Sequence, residues 1–164
     1  MVEGHLAFED KIVSIEKSLM VGRGRWIADF TESFRNFKVN DVTFNVFIRG
    51  NTRMKGFLLS RVFSATVNPN YSVGCYMVSS DSFRDLDKKS FGKLLQAVRS
   101  SIKENEMKWA WLFILSEKVT DAQKKLVESI RDQFVGVALI DAASKNIVHS
   151  DSYIAKQAKR FIKL

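Results

Sequence analysis

The sequence predicts an α/β fold in which helices flank a mixed β-sheet. Three observations predict this class. Apolar residues recur at helical spacing near both ends of the chain, apolar and polar residues alternate between residues 42 and 78, and the segment 109–115 is apolar on both faces. A strand that is buried on both faces needs helices on either side of its sheet, so we expect a layered structure.

Length and composition indicate one α/β domain that spans residues 1–164. No Gly-, Ser- or Pro-rich linker divides the chain. The single cysteine, Cys75, excludes a disulfide framework and makes no metal-ligand pair with His5 or His149. The longest apolar run is too short to cross a membrane, and the N-terminus lacks a basic stretch followed by an apolar one. We expect a cytoplasmic protein with no membrane contact, metal or cofactor.

Two helices are predicted at the start of the chain. The first covers residues 7–20 and buries the stripe Phe8, Ile12, Ile15 and Leu19. The glycines in Gly22-Arg23-Gly24 then interrupt the pattern. The second helix is predicted over 26–37 because four aromatic residues recur at helical spacing, namely Trp26, Phe30, Phe34 and Phe37.

Alternating apolar and polar residues predict three strands, over 42–48, 56–67 and 71–78. Gly50-Asn51 and Asn68-Pro69-Asn70 supply the turns between them. Strands joined by short turns form an antiparallel meander.

The second half of the chain predicts a long helix followed by a strand–helix–strand unit. The elements are, in order, a helix over 91–102, a strand over 109–115, a helix capped by Thr120 with a stripe from Ala122 to Phe134, a strand over 135–140, an extension over 146–149 and a helix capped by Asp151. A strand–helix–strand unit favours parallel pairing with a right-handed crossover.

This order of elements carries a resemblance to a known fold. The apolar strand ends in Ser116-Glu117-Lys118-Val119-Thr120, a helix begins at Asp121-Ala122, and the strand Val137 to Ile140 leads to Asp141. A helix, a meander, a helix and a returning strand resemble the restriction-endonuclease-like fold. The order of elements in the second half, with these residues at their ends, is similar to that of the nuclease-like domains of the archaeal Holliday-junction resolvase and Mrr type. The resemblance covers about residues 5–141 as an order of elements.

The resemblance implies an acidic residue near the start of the second strand and Glu-x-Lys or Asp-x-Lys on the third, which together hold Mg²⁺. The predicted second strand, from Arg53 to Arg61, has no carboxylate, and Val73 to Ser79 has neither an acid nor a lysine. We therefore expect a degenerate site with no catalytic residue and no metal ligand. Two alternatives stay open, a migrated Asp87-Lys88 pair and a Mg²⁺-dependent nuclease whose displaced acids include Glu9, Glu16, Asp41 and Asp81.

The strongest functional indication is charge, since the chain carries a formal net charge of +8. Basic residues cluster between residues 23 and 61, and Lys88-Lys89 extends this set. Basic clusters of this kind neutralise phosphates and release counterions. The candidate nucleic-acid contacts are Arg23, Arg25, Arg49, Arg53, Lys55, Lys88 and Lys89.

The sequence thus predicts a DNA- or RNA-binding protein with a catalytically degenerate nuclease-like fold. The same charge also fits a solvated basic face that serves only solubility. A protein-interaction or scaffold domain, including a homodimer, is therefore the alternative. An exposed edge strand or apolar patch would favour that alternative.

Overall fold

The computed structural model describes residues 2–21, 28–52, 72–83 and 86–162, apart from the side chains of residues 2–7, 160 and 161. The strand predicted over 56–67 lies outside these residues. Within them, none of the helices has both the length and the apolar character needed to span a bilayer.

The described residues form four helices and six strands. The helices are α1 (Val2–Met20), α2 (Lys88–Glu104), α3 (Asp121–Glu128) and α4 (Tyr153–Phe161). The strands are β1 (Ala28–Val39), β2 (Val42–Thr52), β3 (Ser72–Ser79), β4 (Met107–Ser116), β5 (Val135–Asp141) and β6 (Ile147–His149).

The six strands lie side by side in chain order within one sheet. β1, β2 and β3 form an antiparallel meander, β4 and β5 run parallel to β3, and β6 is antiparallel to β5. The predicted α/β class is therefore confirmed, with a meander followed by a parallel strand–helix–strand half.

The predicted second helix is wrong, because residues 28–39 form strand β1. The register between β1 and β2 shifts between Phe30 and Glu32, and Asn36 has a positive φ of 50°. These irregularities interrupt the alternation, so Phe30 packs on one side of the sheet and Phe37 on the other, while Phe34 is 43% exposed. The aromatic spacing that imitates a helix comes from a bulged strand.

Helices cover both faces of the sheet. α2 and α3 pack on one face around buried residues such as Phe44, Tyr76 and Leu112, and we call this the α2–α3 side. α1 and α4 pack on the other face around residues such as Ile12 and Trp111, and we call this the α1–α4 side. Each helix buries an apolar stripe and leaves its opposite stripe to solvent.

The ends of the later helices differ in part from the prediction. Thr120 caps α3 through a capping box, as predicted. However, α3 ends at Glu128, so Phe134 is not part of its buried stripe. At α4 the N-cap is Ser152 rather than Asp151, because the shorter hydroxyl side chain accepts the N–H of the first turn.

Candidate nucleic-acid interface

The structure describes three of the candidate nucleic-acid contacts. Arg49 lies on β2, and Lys88 and Lys89 lie at the start of α2. The others, which lie outside the described residues, are Arg23, Arg25, Arg53 and Lys55. The described strand ends nearest to them in sequence, Ala28 and Thr52, are partners in the β1–β2 register.

Arg49 is half-buried near the end of β2. Its Nε donates a hydrogen bond to Ser72 Oγ over 3.1 Å. Its neighbours on the adjacent strands are Glu32 and Gly74. Among the described residues, no hydrogen bond or ion pair engages its two Nη groups. A guanidinium that is fixed through Nε can use both Nη groups to bind a phosphate.

A buried polar network joins β3 to the last turns of α2. Tyr76 Oη donates to Ser101 Oγ over 2.6 Å, and Asn105 Nδ2 donates to the Ser101 carbonyl over 2.9 Å. Burial raises the pKa of Tyr76. Among the smaller contributions, the charge of Arg49 lowers this pKa and the charge of Glu104 raises it. Arg49 pairs with Gly74 as Phe47 pairs with Tyr76, two residues further along each strand, so Arg49 faces the same side of the sheet as Tyr76. Arg49 thus belongs to the α2–α3 side, near the C-terminal end of α2.

The solvent-facing stripe of α2 is rich in lysine. Its exposed lysines are Lys88, Lys89, Lys93 and Lys103. In the part of the chain that the structure describes, no ion pair holds any of them. The 17 residues of α2 span about 25 Å at 1.5 Å per residue. We call these four lysines together with Arg49 the α2 basic row.

Lys93 and Lys103 are not among the contacts that the sequence predicts. The signal was available, because the helical period that marks Phe91, Leu94 and Val98 as buried places both lysines outside that stripe. Charge density along the chain does not show this arrangement. Only the helical projection separates the lysines from the apolar residues between them.

Asp87 caps the N-terminus of α2, and this role explains its position directly before Lys88. Its Oδ1 accepts the backbone N–H of Ser90 over 2.8 Å and caps α2. This N–H holds the pKa of Asp87 below its usual value. A carboxylate at this position also interacts favourably with the positive end of the helix dipole.

The acids named for a displaced metal site have separate surroundings. Glu9 and Glu16 of α1 both form ion pairs with Arg35 of β1. Asp41 lies in the turn before β2, and Asp81 lies in the 3-10 turn after β3. Within the described ranges, no three His, Cys, Asp or Glu side chains are grouped in a way that could hold a metal ion.

An open cavity of about 280 Å³ lies at the β1–β2 turn and the end of β3. Its lining is Asn36, Asp41, Val42, Thr43, Asn45, Ser82 and Phe83. Asn45 Oδ1 accepts the backbone N–H of Ser79 over 2.9 Å, which ties β2 to the end of β3. Asp41 directly precedes β2, so one acid stands where the resemblance implies an acid. β3 carries neither the acid nor the lysine that the resemblance implies for it.

Asp141, at the end of β5, holds loops in place. Its carboxylate accepts the backbone N–H groups of Val119, Ala143 and Ser144 at 2.9–3.1 Å. The N–H of Ser144, joined by that of Val119, holds the pKa of Asp141 below its usual value. These hydrogen bonds fix the β4–α3 and β5–β6 connections relative to each other.

Three cations on the α1–α4 side are bonded within the protein. Lys11 Nζ donates to the carbonyl of Ala142 over 2.7 Å. Arg131 and Lys156 share the carboxylate of Asp151 at the start of α4. Their charge is therefore partly neutralised in place, in contrast to that of the α2 basic row.

Comparison with known proteins gives no match of this chain to a family model, a curated protein or a solved structure.

Proposed function

We propose that this protein binds nucleic acid along α2, through the phosphates of a duplex, and that its fold is restriction-endonuclease-like without cleavage chemistry. The order α1, meander, α2 and β4 supports the fold part of the proposal. A β3 strand without acid or lysine supports the absence of cleavage.

The observation that carries the proposal is the unpaired α2 basic row. Four exposed lysines extend over about 23 Å of α2, and the oriented Arg49 lies on the sheet face that α2 covers. A duplex rises 3.4 Å per base pair, so the row matches about seven base pairs. Cations that no carboxylate neutralises release the counterions of the phosphates they contact, and this release drives binding.

The edge strand β1 gives limited support to the alternative of a homodimer. β1 is the outer strand of the sheet, and Phe34 is exposed on it. However, β1 also carries a register shift, the positive-φ residue Asn36 and the charged side chains of Arg35 and Lys38. Bulges and charges of this kind hinder edge-to-edge pairing in natural sheets. The α2 basic row therefore favours nucleic acid over a second copy.

The test is the salt dependence of duplex binding, measured by fluorescence anisotropy between about 50 and 200 mM salt. We expect the Lys89→Gln/Lys93→Gln double variant to lower the slope of log K against log salt by about 1.8, since each lost phosphate contact removes about 0.9. The matched control is Lys118→Gln/Lys145→Gln, which removes two exposed lysines outside α2. An unchanged slope in the first variant, or an equal loss in the control, would contradict the proposal.

Arg49 is tested separately because its contribution depends on geometry. Arg49→Gln should lower the slope by about 0.9. Arg49→Lys should keep the slope but weaken binding, since lysine keeps the charge and lacks the two parallel Nη donors. If both variants bind like the wild type, Arg49 is not a phosphate contact.

The same samples, incubated with Mg²⁺ and run on a gel, test the nuclease alternative. We expect the DNA to remain intact at every salt concentration. Cleavage that requires Mg²⁺ would contradict the proposed loss of chemistry, and the acids Asp41 and Asp81 would then be the first to replace.

A further inference from the structure

Two exposed aromatic side chains lie beside the start of α4. Phe134, immediately before β5, is 57% exposed, and Tyr153, the first residue of α4, is 76% exposed. Both lie at the edge where β4 and β5 begin, and Asp132, which accepts the backbone N–H of Phe134, also forms an ion pair with Arg99 of α2.

A close helix–strand contact places the start of α4, where Tyr153 lies, over the beginning of β5, which Phe134 precedes. A Cβ at Gly136 would lie only 2.7 Å from the backbone nitrogen of Ala155 and 2.9 Å from Ile154 Cγ2. The start of α4 therefore rests directly on Gly136. Phe134 is two residues before this contact, about 7 Å along the chain at strand spacing, and Tyr153 adjoins Ile154.

The support beneath these residues is rigid. Trp111 Nε1 donates to the carbonyl of Ile154 over 2.8 Å and holds the first turn of α4 on the sheet. Ala110 N donates to the carbonyl of Phe134 over 2.8 Å, so the backbone of Phe134 is already paired with β4. Because the backbone at both aromatic residues is already held in place, only the side chains need to be ordered when a ligand binds.

The side chains around the two rings are cationic. Arg131 and Lys156 share the carboxylate of Asp151, and Lys159 is exposed six residues after Tyr153. With Asp132, which accepts the N–H of Phe134, and its partner Arg99 included, four cations stand against two carboxylates, so the surroundings of the rings are positively charged. Exposed aromatic faces beside cations fit a ligand made of planar rings and phosphates.

We propose that this surface, the α4 platform of Phe134 and Tyr153 with Arg131, Lys156 and Lys159, binds single-stranded nucleic acid by base stacking. The inference rests on the proposed function in that both concern nucleic acid, but it assigns a second surface and a second form of ligand. Because two of its cations are held by Asp151, its binding depends more on stacking and less on salt than duplex binding along α2 does.

The experiment measures anisotropy of labelled oligo-dT and of duplex DNA with the same variants. Phe134→Leu and Tyr153→Leu keep an apolar side chain and remove the aromatic face, so each should weaken oligo-dT binding about 5- to 150-fold. Tyr153→Phe keeps the ring and should bind within about twofold of the wild type. Phe34→Leu, which removes an exposed ring on the distant strand β1, is the matched control and should change nothing.

Several outcomes would overturn the inference. Unchanged oligo-dT binding in Tyr153→Leu and Phe134→Leu would do so, as would an equal loss in Phe34→Leu. If duplex binding still responds to Lys89→Gln/Lys93→Gln in that case, the proposed function stands and only this inference fails. If the wild type binds neither ligand, both fail, and the exposed rings then indicate a protein partner.

Discussion

In the part of the molecule that the structure describes, some cations form ion pairs and others stay exposed without one, and the α2–α3 side carries both kinds, since Arg99 pairs there with Asp132 and Lys124 with Asp121. On the α1–α4 side Lys11 binds a carbonyl, Arg35 binds two glutamates of α1, and Asp151 holds two cations. On the α2–α3 side the four lysines of α2 make no ion pair among the described residues. The net charge of the chain does not reveal this difference. Paired cations join elements of the fold, whereas unpaired cations are available to a polyanion.

The largest expected difference is between two glycines, Gly136 beneath α4 and Gly92 on α2. Gly136→Val places side-chain atoms where the backbone of α4 lies, so it should lower the free energy of unfolding by about 3 kcal/mol or more. Gly92→Ala, on the exposed stripe of α2 with nothing within 4 Å of its added Cβ, should instead raise it by about 0.5–1 kcal/mol. Urea unfolding measures both. Equal effects of the two substitutions would contradict the close seating of α4.

Asp151→Asn should leave Arg131 and Lys156 without their ion pairs, like the exposed lysines of α2. Lys156, by hydrogen bonding, and Arg131 hold the pKa of Asp151 below its usual value, and the substitution releases both cations. We expect the salt slope of oligo-dT binding to grow by up to about 1.4, since each phosphate contact on a single strand contributes about 0.7. Anisotropy measures the change, and an unchanged slope would mean that the released cations do not contact phosphates.

The same ion pairs predict a pH effect of defined sign. Because the pKa of Asp151 is lowered in the folded protein, its stabilising contribution is present above the unfolded-state pKa and is lost as the pH falls through the folded-state pKa. NMR titration of the carboxyl carbon should show a pKa below the usual aspartate value in the wild type. The Lys156→Gln variant should move it back towards that value, and no movement would contradict the pairing.

Arg35→Ala should cost stability where Lys93→Ala does not. Arg35 is half-exposed and joins β1 to α1 through Glu9 and Glu16, so its loss should lower the free energy of unfolding by about 0.5–1 kcal/mol. Lys93 has no such partner and should be neutral within about 0.5 kcal/mol. Chemical unfolding of both variants checks this, and equal costs would remove the distinction between paired and unpaired cations.

The smallest expected effect concerns Glu104, an acid at the C-terminal end of α2. Glu104 directly follows Lys103 in the last turn of α2. Glu104→Gln removes a negative charge that would repel the phosphates of a duplex bound along α2. We therefore expect duplex affinity to rise about twofold. Anisotropy at low salt is the measurement. Weaker binding in this variant would place the duplex elsewhere.

Local periodicity predicted much of this fold and less of the candidate sites. The stripes of α1 and α2 and the buried strand β4 follow from spacing alone, since each is regular over its length. β1 was mistaken for a helix because its bulges depend on pairing with β2. A bulge is a property of two strands, and it leaves no period within one of them.

The sites depend on contacts between residues that are distant in sequence. Arg49 was predicted from charge, but its orientation by Ser72 requires the β2–β3 register across 23 residues. The α4 platform requires the contact of α4 with Gly136, and Phe134 was assigned to a helix that ends at Glu128. Charge can be read from the sequence, whereas the pairing state of a charge needs the tertiary structure.

The most direct test is an NMR titration of the ¹⁵N-labelled 18.7 kDa protein with duplex DNA. Binding along α2 predicts that the largest amide shift changes fall on residues 88–104 and around Arg49, and that they fade as salt is added. Changes confined to α1 and α4, with none on α2, would contradict the central claim that the unpaired cations form the nucleic-acid surface.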